Sequence, residues 1–142
     1  MTNNEKGLTF IELIISLVIL GILASIALPL SELAVKRAKE LELRKNLREL
    51  RQAIDKYKEN YDEGLYGLKT VGASGYPETL NKLVDKKILR RISIDPITNS
   101  TNWDTKSFSD KYDSLISDKL DVYDVQTTSE EAGLDGTKYN TW

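Results

Sequence analysis

The chain of 142 residues contains no cysteine and no histidine, and only three prolines and one methionine. Without cysteine there is no disulfide framework and no thiolate metal site. Without histidine there is no imidazole base or ligand, and no G-x-S-x-G, phosphate-binding glycine loop or helical pair of metal ligands stands in its place. The sequence therefore reads as non-catalytic, with no bound cofactor expected. An excess of one charge is missing as well, since 20 Lys and Arg face 22 Asp and Glu. General nucleic-acid binding needs a concentrated basic surface, so no nucleic-acid partner is expected.

What the chain does have is one long apolar run. From Leu13 to Leu30 no residue is charged, and only Ser16, Gly21, Ser25 and Pro29 interrupt the aliphatic side chains. That is roughly the length a helix needs to cross a hydrocarbon core, so the run reads as a membrane span. The residues before it are few and polar, with Lys6 at the boundary, and no small-x-small cleavage pattern follows the apolar core as in an ordinary secretory signal. Glu12 is out of place among these side chains. Left unpaired in lipid it costs on the order of 2.5 to 3.5 kcal/mol, and a compensating partner is expected. A simple signal anchor would share the polar start and the apolar helix, but would leave this carboxylate without a role.

Lys6-Gly7, then Leu8-Thr9-Phe10-Ile11-Glu12, then the long apolar run resemble the class III leader and N-terminal segment of the type IV pilin and type II secretion pseudopilin superfamily. The resemblance implies a leader of residues 1–7, cut after Gly7 by a membrane prepilin peptidase that also N-methylates Leu8. The family usually has Phe at that first mature position, and Leu8 departs from it. The resemblance further implies that Glu12 neutralises the new terminal amine of a neighbouring subunit during filament assembly. It also implies that Gly21 and Pro29 bracket a helix segment that can loosen as subunits pack. On physical grounds alone Gly21 and Pro29 are the two weak points of the span, one through backbone freedom and the other through its missing donor.

Beyond Pro29 the sequence changes character without a linker. Residues 31–62 contain neither Gly nor Pro, and place Leu43, Leu47, Leu50, Ile54, Tyr57 and Tyr61 at alternating steps of four and three. This predicts an amphipathic helix half continuing the span, its stripe serving as a core wall in preference to a coiled-coil seam. Glu32 with Lys36, Glu40 with Arg44 and Lys45 with Glu49 are spaced for i,i+4 pairs on its other faces. Gly64, Gly67, Gly72 and Gly75 end it in a loop. Tyr76-Pro77-Glu78-Thr79 then restarts a short helix, with Pro77 in its first turn and Leu80, Leu83, Val84 and Ile88 as its apolar face.

Asp95-Pro96 through Asn102 is turn chemistry, and Asn102–Phe108 and Lys119–Thr127 read as strands. The fold class is thus α+β: a long N-terminal α-helix, transmembrane half 8–30 and amphipathic half 31–62, packed against a small antiparallel sheet in a globular domain of residues 31–142. Trp103, Tyr139 and Trp142 read as packing anchors.

Charge in the soluble part is uneven. Residues 64–91 hold six Lys or Arg against Glu78 and Asp85, whereas residues 92–142 hold ten Asp or Glu against four Lys. The knot of Lys86, Lys87, Arg90 and Arg91 reads as a solvated face. Asp110, Asp113, Asp118, Asp121 and Asp124 raise calcium as a candidate ligand, though their spacing is not that of an EF-hand loop.

Tyr76-Pro77, Arg90-Arg91 leading into Asp95-Pro96, Trp103, Asp124-Val125 and Leu134-Asp135-Gly136-Thr137-x-Tyr139-x-x-Trp142 resemble the soluble part of major pseudopilins. By that resemblance Asp124 or Asp135 corresponds to a calcium loop, the fold is type IV pilin-like, and the filament is a type II secretion pseudopilus. The implied location is the inner membrane, single-pass, with the C-terminal domain and the assembled filament in the periplasm. The implied partners are other copies of the chain, the prepilin peptidase, a membrane platform protein, an assembly ATPase and minor pseudopilins. A type IV pilus subunit for adhesion, motility or DNA uptake, and a membrane-anchored binding module that never polymerises, are the alternative readings.

Overall fold

A computed structural model of the chain describes residues 9–67, 72–110 and 117–142. Its elements are α1 (Phe10–Asp62), α2 (Asn81–Asp85), β1 (Asp104–Lys106), β2 (Asp124–Gln126) and a 3-10 turn (Tyr139–Thr141). Contacts divide the chain into two compact units, Met1–Arg37 and Ala38–Trp142. In the first unit every side chain described between Thr9 and Val35 is exposed. α1 is the one helix, among the described residues, long and apolar enough to cross a membrane; its most apolar 18-residue window has mean hydropathy 2.8.

In the second unit the stripe of α1 is the core wall. Leu43, Leu47, Leu50 and Ile54 are buried to 2% exposure or less, and Tyr57 packs beside them. Against this wall lie Leu83 from α2, Trp103, Val122, Val125 from β2 and Tyr139. A long helix thus packs on a small antiparallel sheet, whose register pairs Asp104 with Gln126, Thr105 with Val125 and Lys106 with Asp124. Trp103 and Tyr139 are buried and Trp142 packs against the cluster, as expected of packing anchors.

Both helices stop by the same device. Leu65 donates its amide to the Asn60 carbonyl and Gly64 to that of Tyr61, each at 3.0 Å, a Schellman closure with Gly64 at φ +79°. α2 repeats it: Ile88 donates to Leu83 and Lys87 to Val84, each at 2.9 Å, but the left-handed position is filled by Lys87 at φ +59°.

Two expectations are corrected here. α2 spans only Asn81–Asp85, and Pro77 lies ahead of it, fully buried. Its carbonyl accepts the Val122 amide at 2.7 Å, which ties this stretch to the region before β2 and delays the helix. Glu40 and Arg44 do not serve each other across one turn; both reach to the C-terminal segment, as described below.

Candidate functional site

The N-terminus of α1 is closed by a capping box. Thr9 precedes the first helical residue, and its hydroxyl accepts the Glu12 amide at 3.4 Å. In return Glu12 Oε2 accepts the Thr9 amide at 2.9 Å and the Thr9 hydroxyl at 2.8 Å. The Glu12 carboxylate thus has two donors inside its own helix. The compensation that the apolar setting demands begins within the subunit.

Farther along, Ser16 and Ser31 donate their hydroxyls to the carbonyls of Glu12 and Ala27, so neither leaves a polar hydrogen facing outward. α1 continues through Gly21 and Pro29. A Cβ at Gly21 would meet nothing within 4 Å. Pro29 has no amide for the Ser25 carbonyl to accept. Gly7 and Leu8, the expected cleavage and methylation positions, lie outside the described residues.

The second unit has its own polar fastening. Glu40, only 9% exposed, accepts from the Leu134 amide at 2.7 Å and the Tyr139 hydroxyl at 2.9 Å through one oxygen. Burial, and then the Glu40 carboxylate, push the Tyr139 phenol up to about 12. One turn on, Arg44 pairs with Asp135 at 3.2 Å and lies 4.0 Å from the centre of the Trp142 ring. Arg51 donates to Asp124 Oδ1 at 2.7 Å and to the carbonyls of Val125 and Trp142 at 3.0 and 2.7 Å. Gly133 is required for closeness: a Cβ there would sit 2.8 Å from Trp142 Cζ2 and 3.2 Å from Tyr139 Cε1. The ending of the chain, Gly133 to Trp142, is therefore a segment strapped to three turns of α1.

Asp95 is a further structural acid. Fully buried, it accepts the Ile97 amide at 2.8 Å through Oδ1 and the Thr127 hydroxyl through Oδ2. The expected turn is thereby locked to the residue that follows β2.

The acids considered for calcium are committed elsewhere. Asp124 holds Arg51, and Asp135 holds Arg44 and the Thr137 amide and hydroxyl. Hydrogen bonds from Ser117 and the Ser107 amide hold Asp110 below the ordinary carboxylate value, and those from Ser109 and the Leu120 amide do so for Asp118. Asp121 accepts from the Ser107 hydroxyl and the Phe108 amide. Asp113 lies outside the described residues. Among the described residues no three carboxylates gather to hold a metal.

Three residues take on roles beyond those their local pattern suggested. Thr9 was legible, because Thr followed three residues later by Glu ahead of an apolar run is a capping-box pattern. The local signal at Glu40 was its i,i+4 spacing to Arg44, and Arg51 gave none; the partners of both lie 73 to 99 residues away.

The family model described as the prokaryotic N-terminal methylation motif matches residues 2–28. No curated protein and no solved structure matches the chain. The motif is a prepilin-type signal, and it implies processing by prepilin peptidase. Together with the apolar helix it fits a chain anchored in a membrane by a single pass.

Proposed function

We propose that the chain is a structural filament subunit of the pseudopilus type. It is made as a precursor, cleaved after Gly7, N-methylated at Leu8, held in the membrane by residues 8–30 and polymerised through helix packing. In this reading the filament stands in the periplasm and pushes exported protein through a secretion channel. Its partners are other copies of the chain, the prepilin peptidase, the membrane platform protein, the assembly ATPase and minor pseudopilins. Gly21 and Pro29 are the places where α1 loosens as subunits pack.

The observation that carries the reading is the coincidence, within residues 2–28, of the methylation motif with a carboxylate at the head of the exposed, apolar first half of α1. An intramembrane carboxylate is functional by default. The ammonium created by cleavage is the charge that suits it, because opposite charges in low dielectric attract far more strongly than in water. The resemblance of the fastened C-terminal ending to major pseudopilins favours the secretion role over a surface pilus.

Intact mass of the membrane-extracted chain, made with and without prepilin peptidase, tests the processing. Loss of Met1 to Gly7 with one added methyl group, only when the peptidase is present, is expected; an unchanged precursor in both sinks the filament reading. Glu12→Ala is expected to insert and be cleaved but fail to assemble. Normal filaments from that variant refute the role given to Glu12.

A further inference from the structure

We propose that neighbouring copies of this chain dock side by side through Arg90 and Arg91 of one copy and Glu130 and Glu131 of the next. The inference rests on the filament reading above and names a contact surface for it.

All four side chains are exposed. Arg90 and Arg91 enter no ion pair among the described residues, and Glu131 enters none either. Among the described residues Glu130 pairs only with the exposed Lys138, at 3.9 Å. Of the two other cations of the basic knot, Lys86 lies 4.6 Å from the centre of the Tyr66 ring, and Lys87 is exposed while its backbone amide closes α2. Arg90 and Arg91 are the guanidinium pair of the knot, and both face outward.

Their placement prevents the two pairs from meeting within one copy. At 100° per residue, Glu42, Asn46 and Glu49 lie roughly 170° around α1 from Glu40, Arg44 and Arg51. The loop carrying Arg90 and Arg91 lies against the first set. Asn46 Nδ2 donates to the Ile94 carbonyl at 2.9 Å, and Glu42, Glu49, Arg90 and Arg91 line one groove. Lys45 shares that groove and keeps cations in excess over the two glutamates.

The C-terminal segment lies against the second set, fastened at Glu40, Arg44 and Arg51. Glu131 belongs to that segment through its carbonyl, which accepts the Tyr139 amide at 3.0 Å. The arginine pair and the glutamate pair therefore flank the same three turns of α1 from opposite sides.

Two copies with parallel α1 helices present the basic flank of one to the acidic flank of the other. Such a contact is heterologous: each copy uses both flanks, so it extends into an open array and does not close at a dimer. Like charges brought together at such a surface suppress association, which makes the pairing testable by reversal.

The full chain would be produced with prepilin peptidase and its assembly machinery as wild type, R90E/R91E, E130K/E131K and the fourfold swap, and polymer recovered by shearing and pelleting. Each double reversal is expected to lower polymer about tenfold or more, and the swap to restore most of it. A second readout uses the absence of native cysteine. R91C/E131C treated with a short bismaleimide is expected to give a ladder beyond the dimer, while each single cysteine variant gives none. Wild-type filaments with reversed variants that polymerise equally, or a swap no better than its parents, overturn the pairing alone. A ladder stopping at dimer overturns the heterologous geometry. A processed wild-type chain that never polymerises overturns the filament reading, and this inference with it.

Discussion

Tyr139→Phe removes one hydroxyl from the fastening of the C-terminal segment and leaves the ring in place. That hydroxyl donates to Glu40 at 2.9 Å, and the ring is 1% exposed. A hydrogen bond to a charged acceptor contributes about 1.5–3 kcal/mol, and here the Leu134 amide remains on Glu40 in the variant, so a loss of about 2 kcal/mol is expected. For a domain of this size that is about 8–16 °C in midpoint.

A second, independent magnitude comes from the proton. The Tyr139 phenol is raised to about 12 by burial first and the Glu40 carboxylate second, against about 10 in the unfolded chain. A raised acid keeps its proton in the folded state while the unfolded state ionises. Its contribution is therefore whole below pH 10 and is lost as pH climbs through 12, by up to about 2.7 kcal/mol. The assay is urea unfolding of the full chain in detergent, read by tryptophan fluorescence, for wild type, Tyr139→Phe, Glu40→Gln and the double variant. The wild-type advantage over Tyr139→Phe should be constant to pH 10 and shrink from there to pH 12. The double variant should lose less than the two singles added together, since the pair shares one bond. A Phe variant that unfolds with wild type at neutral pH, or a difference that stays level to pH 12, refutes the assignment.

Lys87→Gly should stabilise the second unit by about 0.5–1 kcal/mol, because Lys87 occupies at φ +59° the position that Gly64 fills in α1; a lower urea midpoint would refute the Schellman assignment. Gly133→Ala should destabilise by about 1–3 kcal/mol, since its Cβ would lie 2.8 Å from Trp142 Cζ2; unchanged unfolding would show that the C-terminal segment yields freely. Leu50→Ala should cost about 2–5 kcal/mol from a fully buried site, whereas Leu41→Ala, 65% exposed on the same helix, should change unfolding by less than about 0.5 kcal/mol. Equal effects at the two positions would contradict the buried stripe.

What could be read from the sequence was what repeats locally. The step of four and three from Leu43 to Tyr57 named the core wall because burial on one helix face writes itself as periodicity. The turn at Asp95-Pro96 and the two strands were legible from turn chemistry and β-branched residues, although the strands shrank to three residues each. What could not be read was set by distant partners. Pro77 looked like a helix start, but Val122, 45 positions later, holds its carbonyl. Glu40 and Arg44 looked like an i,i+4 pair worth a few tenths of a kcal/mol at most. A buried carboxylate gains more from the Tyr139 hydroxyl and the Leu134 amide than from an exposed cation, and that comparison exists only once the chain has returned to α1.

The capping box changes what the proposed role of Glu12 requires. A bare carboxylate in lipid would need its partner at once, and every unassembled subunit would carry the insertion cost of a few kcal/mol. With the Thr9 amide and hydroxyl both donating to Oε2, the waiting subunit is tolerated, and a partner in trans must compete with bonds already made. An N-cap interaction is worth about 1 kcal/mol. An ammonium facing a carboxylate out of water gains several times that before desolvation is counted. The cap is therefore strong enough to hold the side chain in one rotamer and weak enough to be given up or shared. Two neutral donors cannot cancel the charge of Glu12, so the drive toward a cation survives in the capped subunit. On this account Glu12 and Thr9 act as one unit, with Thr9 the positioning residue and Glu12 the charge.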